Sequence, residues 1–298
     1  MQLTAIIDKT AISTYFQGLQ DQICTALEDL DGKGKFQEDA WQRPGGGGGR
    51  TRVITGELIE KGGVNFSAVY GKMPEKIAKG LQMSGGEFYA TGVSIVLHPR
   101  SPMVPIIHMN VRYFENNANQ WWFGGGIDLT PHYVVEADAQ YFHEALKTVC
   151  DQHDMSYYPK FKQWADDYFY VRHRQETRGV GGIFFDRLSE PSKPDCFDFV
   201  RAIGEAFVPI YTHLAHKNST LTYGERERQW QRLRRGRYAE FNLVWDRGTK
   251  FGLETGGRTA SILMSLPPQA DWVYDHQVEA DSQEAQTLEL LKKGIDWV

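Results

Sequence analysis

GVSIVLHPRSPMVPIIHMNVRYF, residues 92–114, carries two alternating runs on either side of a proline-marked turn. Successive side chains of a strand point to opposite sides of its sheet. Ser94, Val96 and His98 therefore share one face, and Val93, Ile95 and Leu97 the other. In the second run Ile106, His108, Asn110 and Arg112 take one side, and Ile107, Met109, Val111 and Tyr113 the opposite one. Pro99, Pro102 and Pro105 interrupt any continuous strand, and Arg100 and Ser101 between them suit a turn. Paired antiparallel, the two runs present Ser94, His98, His108, Asn110 and Arg112 as one polar patch. The solvent face of a half-buried hairpin alternates in the same way. Imidazoles, an amide and a guanidinium are nevertheless unusual on a plain surface, where Lys and Glu predominate.

The rest of the chain bounds what that patch serves. Its 298 residues suffice for a substantial core, and 41% hydrophobic with 13% aromatic content is that of a globular protein. A formal net charge of -5 gives no bulk attraction to nucleic acid or an acidic membrane, so any anion binding rests on local clusters. Cys24, Cys150 and Cys196 are widely spaced and lack metal-type spacing, which fits a reducing compartment. No apolar run has the length of a membrane span, and the amino terminus lacks a signal-peptide pattern. A soluble, cytoplasmic protein is expected, with organellar placement left open in case a presequence has been removed.

An apolar stripe of Ile12, Tyr15, Phe16, Leu19, Ile23, Leu27 and Leu30 predicts a helix over 10–30. In QRPGGGGGR, residues 42–50, five glycines favour neither helix nor strand. A flexible linker and an active-site flap with anion-holding Arg43, Arg50 and Arg52 both stand at this point. Strands are expected over 51–59 and 62–71, and KMPEKIAKGL, residues 72–81, gives no domain boundary, so one continuous domain over 1–298 is favoured. In WWFGGGIDLTPHY, residues 121–133, Gly124 to Gly126 permit a tight change of direction beside an aromatic wall. Asp128 either serves proton transfer and N–H orientation or caps the local backbone.

Helices are expected over 136–150, with His143 toward its packed side, over 159–174 and over 196–213. His98, His108, His143 and His173 are too dispersed to be a strong metal signal. Of Arg172, Arg174 and Arg178, the last stands best placed to recognise a carboxylate, just before a strand at Ile183 to Phe185. Residues 223–241 form an arginine-rich helix suited to a dimer contact or an acidic substrate. Residues 239–248 alternate like a strand, and Gly256, Gly257 and Arg258 mark a turn able to clamp a carboxylate. A terminal helix packs through Leu288 and Leu291.

Taken in order, WQRPGGGGGR (41–50), GVNFS (63–67), HMNVRYF (108–114), WWFGGGIDLTPHY (121–133), RGVGGIFFDRL (178–188) and the 223–268 stretch closely resemble the oxygen-dependent coproporphyrinogen III oxidase family across nearly the full length. That resemblance implies an α+β fold, a large, nearly flat antiparallel sheet covered by helices on both faces, in a homodimer joined through about 238–273. It implies oxidative decarboxylation of two propionates of coproporphyrinogen III to vinyl groups in haem biosynthesis, with molecular oxygen as co-substrate and no organic cofactor. Matching positions assign substrate contacts to Ser94, Asn110, Val111, Arg112, Gly256, Gly257 and Arg258, and proton donation to His108. They also match His98, His108, His143 and His173 to an assigned divalent metal. Asp128, Arg112 and Arg178 join His108 in the expected catalytic set. Arg187 departs from the acidic residue usual there, which unsettles a particular ion-pair network. A noncatalytic tetrapyrrole binder and a metal-dependent dioxygenase are the competing readings, and neither nucleic acid nor a membrane is an expected partner.

Overall fold

The structure, a computed structural model, describes residues 7–73, 78, 86–254 and 256–298. Most of the 72–81 stretch and Thr255 lie outside the described residues. Among the described residues, seven antiparallel strands form one sheet, and they neighbour one another in the order in which they are named next. They are β1 (Gln37–Gln42), β2 (Gly47–Ile54), β3 (Ile59–Lys72), β4 (Glu87–Pro99), β5 (Ile106–Asn116), β6 (Trp121–Thr130) and β9 (Gly181–Leu188). A separate two-stranded ribbon joins β7 (Tyr170–Val171) to β8 (Glu176–Thr177). The opening hairpin forms as its alternation requires, with Ser94 opposite Asn110 and Val96 opposite His108.

One face of the sheet is a continuous apolar layer that includes Val93, Ile95, Met109, Val111, Phe123, Ile127 and Phe185. Three helices cover it: α1 (Lys9–Asp31), α2 (Glu136–Asp151) and α4 (Lys193–Ser219). The stripe of α1 buries Ile12, Phe16, Leu19, Ile23 and Leu27, while Tyr15 and Leu30 lie at its margin. Asp8 caps its first turn through Ala11 N–H, and Gly32 closes it at φ 77°, a backbone region that glycine enters without penalty. Helix α3 (Tyr157–Tyr168) wraps the β9 edge, with Phe161 against Phe185 on the core side and Tyr168 stacked on Phe184 on the other.

The second face carries the polar row. Helix α5 (Glu225–Glu240) lies across it, with Tyr238 against Val96 and Ile106. Five residues of π-helix, Phe241–Trp245, then lead to α6 (Arg247–Glu254) and α7 (Thr259–Leu263). Ser261 of α7 fastens to this face through Thr51 at 2.7 Å and Asn65 at 3.0 Å. The terminal helix, α8 (Gln283–Leu290), leaves Leu288 partly buried and Leu291, just past its end, fully buried.

Several sequence expectations give way here. The glycine run is no linker, because Gly47 to Gly49 belong to β2, where Gly48 pairs with Gln42. A Cβ at Gly48 would sit 2.2 Å from the Trp41 carbonyl oxygen, so close strand approach explains the absent side chain. Arg50 and Arg52 pair with Asp21, and Arg52 also with Glu38, rather than standing ready for an anion. Gly124 to Gly126 make no elbow but continue the middle of β6. Residues 51–59 divide between two strands, and α3 stops at Tyr168, before the β7–β8 ribbon. The apparent strand over 239–248 is the end of α5, the π turn that follows and the start of α6. The arginines of α5 serve the fold: Arg226, Arg232, Arg234, Arg235 and Arg237 each pair with a carboxylate of this chain.

Candidate active site

Register places His108 of β5 directly opposite Asp128 of β6. Their side chains meet at 2.7 Å, Nδ1 to Oδ1. Arg178, in the turn before β9, donates from Nη2 to the other carboxylate oxygen at 2.6 Å. Asp128 and Arg178 are 2% and 3% exposed, whereas His108 is 23% exposed. Burial alone would raise the Asp128 pKa, but the Arg178 charge and the bond to His108 hold it below the usual carboxylate range. Burial likewise works against the charge on Arg178, and Asp128 outweighs it, so the guanidinium stays protonated.

The surroundings of Arg178 explain how a charge survives there. Its guanidinium carbon lies 4.4 Å from the centre of the Phe169 ring, 4.6 Å from Tyr238 and 4.7 Å from Phe241. Such cation–π contacts compensate part of the lost hydration. Nη1 donates to Asn242 Oδ1 at 2.9 Å, and Asn242 in turn donates to Ser265 Oγ at 3.2 Å. Because an ionised Asp128 accepts only, His108 donates from Nδ1 and carries its acceptor on Nε2 when neutral. Nε2 makes no hydrogen bond among the described residues, so it is the atom that this pair presents.

Four residues along β5 lies the second charged group. Arg112 donates to Asn110 Oδ1 at 2.7 Å and to Asp186 Oδ1 at 3.0 Å, and its side chain is 36% exposed. Gly124 makes this geometry available, since a Cβ there would stand 2.8 Å from Arg112 Nε and 2.7 Å from Asp186 Oδ1. Ser94 lies beside Asn110 on β4. Val111 faces the opposite way and is fully buried in the core, so its side chain does not reach this surface.

Arg258 precedes α7 on the same face and pairs with Asp39 of β1. Gly256 takes φ 71°, and Gly257 N–H donates to the Gly252 carbonyl. Asp39, Thr51, Asn65, Ser94 and Asn110 form one row across five strands. Arg258's partner is thus about 19 Å from Asn110 at the strand spacing of about 4.8 Å. Arg112 and Arg258 share a face but are not neighbours.

The four histidines do not form a metal centre. His98 is buried, with Nε2 at 2.8 Å from the Ser265 carbonyl and its ring edge-on to Tyr238, and burial takes its pKa well below the ordinary value. His143 lies within α2 on the far side of the sheet, its Nδ1 held by Tyr158 at 2.9 Å and its Nε2 by the Val180 carbonyl at 2.9 Å. His173 is held between Glu240 and Trp245. Among the described residues no group of three or more His, Cys, Asp or Glu side chains is arranged to hold a metal ion. His143 and His173 have both ring nitrogens engaged, and His143 lies across the sheet from His98 and His108, so the four do not fit a shared metal site.

Two contributors escaped sequence reasoning. Asn242 had no signal, because the alternation around it pointed to a strand. Asp246 did have one: Asp is a favoured N-cap residue just before a helix, and its carboxylate accepts from Thr249 N–H and hydroxyl at 2.8 and 2.7 Å while also receiving Tyr168 Oη–H at 2.7 Å.

Fold and site together define an α+β protein in which one polar sheet face sets guanidinium groups beside a buried carboxylate–histidine pair. The family model described as coproporphyrinogen III oxidase matches residues 11–297. The oxygen-dependent coproporphyrinogen-III oxidase of Drosophila melanogaster is 50% identical over 295 residues, covering 94% of this chain and 76% of that relative. This chain belongs to the coproporphyrinogen III oxidase family. No helix among the described residues is long and apolar enough to cross a membrane.

Proposed function

We propose that this chain carries out oxygen-dependent oxidative decarboxylation of two propionate groups of coproporphyrinogen III, giving protoporphyrinogen IX, carbon dioxide and hydrogen peroxide in haem biosynthesis. The observation that carries the reading is the His108–Asp128–Arg178 series standing on the same face as Arg112. For each propionate, a β-carbon C–H bond and the bond to the carboxylate carbon break. Two electrons pass to oxygen, and one external proton completes hydrogen peroxide. Arg112 holds a propionate through its exposed edge, in the charge-assisted geometry that guanidinium groups favour. Asp128 acts behind His108, fixing the ring so that Nε2 meets the substrate and stabilising the imidazolium when His108 carries the proton. Ser94 and Asn110 line the approach, and Arg258 with Gly256 and Gly257 closes its far end. No step is routed through a metal, because the donor set does not fit one.

The unbroken sheet and a family match over 11–297 support a single domain spanning 1–298. Leu243, Val244, Phe251 and Leu253 expose apolar surface within 238–273, which supports a homodimer through that region. Cytoplasmic placement completes the reading. The test is an anaerobic-to-aerobic turnover assay with coproporphyrinogen III. Stepwise loss of two carboxylates only after oxygen is admitted is expected, and substrate that stays bound but unchanged under oxygen would overturn the assignment.

A further inference from the structure

Beyond Arg112 the same face continues into aromatic side chains that the catalytic series does not use. Phe114 follows Arg112 by two residues on β5, and Trp122 precedes Gly124 by two on β6. Both therefore share the site's face. They pair in register and stack with ring centres 4.3 Å apart at 21°. Phe88 of β4, six residues before Ser94 and so on the same face, extends the row, its ring 6.1 Å from Phe114 at 7°. All three are half-buried and belong to none of the hydrophobic clusters of the described core.

A guanidinium stands at each end of this row. Arg43 lies 5.7 Å from the centre of Phe88, and Arg187 lies 5.7 Å from Trp122. Arg187 gets there through a bulge: Phe185 pairs with Gly125 and Leu188 with Phe123, so β9 carries one more residue than β6 over this interval. The extra residue takes φ 51° at Arg187, a left-handed conformation uncommon for a side-chain-bearing residue, and its exposed guanidinium turns toward the site face.

We propose that Phe88, Phe114 and Trp122, flanked by Arg43 and Arg187, form a second substrate seat that holds the rings and propionates away from the reacting one. This rests on the tetrapyrrole reading above. Side chains stand away from a sheet, so stacked neighbours present their rims outward. Rims carry the positive end of the aromatic quadrupole and meet electron-rich pyrrole faces edge-to-face. A substrate bearing four carboxylates around one macrocycle needs cations set apart, and Arg112, Arg43 and Arg187 are so distributed on a single face. The row spans strands β4 to β6, about 10 Å at a spacing of about 4.8 Å per strand, a breadth suited to a macrocycle rather than to one small acid.

Oxygen is a co-substrate in this reading, so affinity is measurable without turnover under argon, with coproporphyrinogen III as the probe. Arg187→Gly removes the guanidinium while suiting the left-handed backbone, and a thermal melt beside the parent checks that the fold is kept. Each of Arg187→Gly and Arg43→Gln is expected to raise the anaerobic Kd about three- to tenfold, the scale of one partly exposed charge-assisted contact. The salt dependence of Kd should weaken, and kcat/KM should fall more than kcat. Phe114→Leu should weaken binding without altering the salt dependence. A Kd for the Arg43→Gln/Arg187→Gly double variant within about twofold of the parent, below a 0.5 kcal/mol change, would overturn the seat. If the unaltered protein yields no decarboxylated product, the functional reading fails instead, and the anaerobic affinities still decide whether this row binds the tetrapyrrole.

Discussion

Replacing Asp128 with Asn keeps the side chain's size and removes the one carboxylate facing Arg178. The guanidinium, 3% exposed, would keep the Asn242 side-chain carbonyl, three ring faces and the charge of Asp246, which it does not touch, as electrostatic partners. Removing one member of a buried ion pair costs about 3–5 kcal/mol, mainly because the remaining charge is left uncompensated. The rings, each worth about 0.5–2 kcal/mol to a cation, put this case at the lower end, about 3 kcal/mol. For a chain of this size that lowers the melting temperature by roughly 5–10 °C. Adding Arg178→Met should return most of the stability, since an apolar side chain of similar length fits the Phe169, Tyr238 and Phe241 cage without a stranded charge. Turnover should not return. The single variant is expected to lose about 100- to 10,000-fold in kcat, the span of one general acid–base contribution. Thermal melts by circular dichroism at neutral pH, together with aerobic product formation, read both effects. A single variant that melts within about 1 °C of the parent would refute the claim that Asp128 neutralises Arg178.

His143 gives a pH prediction. Burial holds its pKa down at about 4, so the folded protein resists a proton that the unfolded chain accepts near the ordinary value of about 6.5. Stability from this residue is present above about pH 6.5 and falls by about 3 kcal/mol as pH drops to about 4. His143→Asn should remove that dependence from urea melts across the window, whatever its cost at neutral pH. Arg112→Lys, which keeps the charge but cannot bridge Asn110 and Asp186 with one planar group, should raise KM about tenfold in steady-state assays. Phe251→Asp puts a charge into the exposed apolar stretch proposed as the dimer contact and, if that proposal holds, should shift sedimentation toward the monomer.

The parts of the fold legible in the sequence were those in which one periodicity governed one surface. The 92–114 hairpin declared both its faces, because an antiparallel register aligns side chains two by two, and the same rule set Ser94 beside Asn110. The α1 stripe was legible for the same reason. Local propensity misled where a distant partner decides the outcome. Three glycines after Trp122 and Phe123 look like a turn, yet Gly124 lies mid-strand because Arg112, twelve residues earlier, occupies the room its side chain would need. Residues 241–245 alternate as a strand would, while their hydrogen bonding is that of a π turn continuing α5. That extra residue per turn delivers Phe241 and Asn242 together to Arg178, a geometry that no short window encodes.

The candidate site follows the same division. His108 and Arg112 were legible from strand parity, and Asp128 was singled out by its neighbours, but the partnership that gives Asp128 its chemistry spans 50 residues to Arg178 and a further 64 to Asn242. The metal set, by contrast, came from the family resemblance and only weakly from the dispersed histidines themselves, and the fold distributes those four rings across both sides of the sheet, each in a local hydrogen bond. Residue type therefore identified which groups can do chemistry, and only the register of β5, β6 and the π turn determined which of them act on one another. Because the His108–Asp128 contact is made by two directly paired strands, it should tolerate changes in the loops far better than Arg178 does. A loop insertion that displaces Arg178 should cost proton transfer while leaving that pair in register.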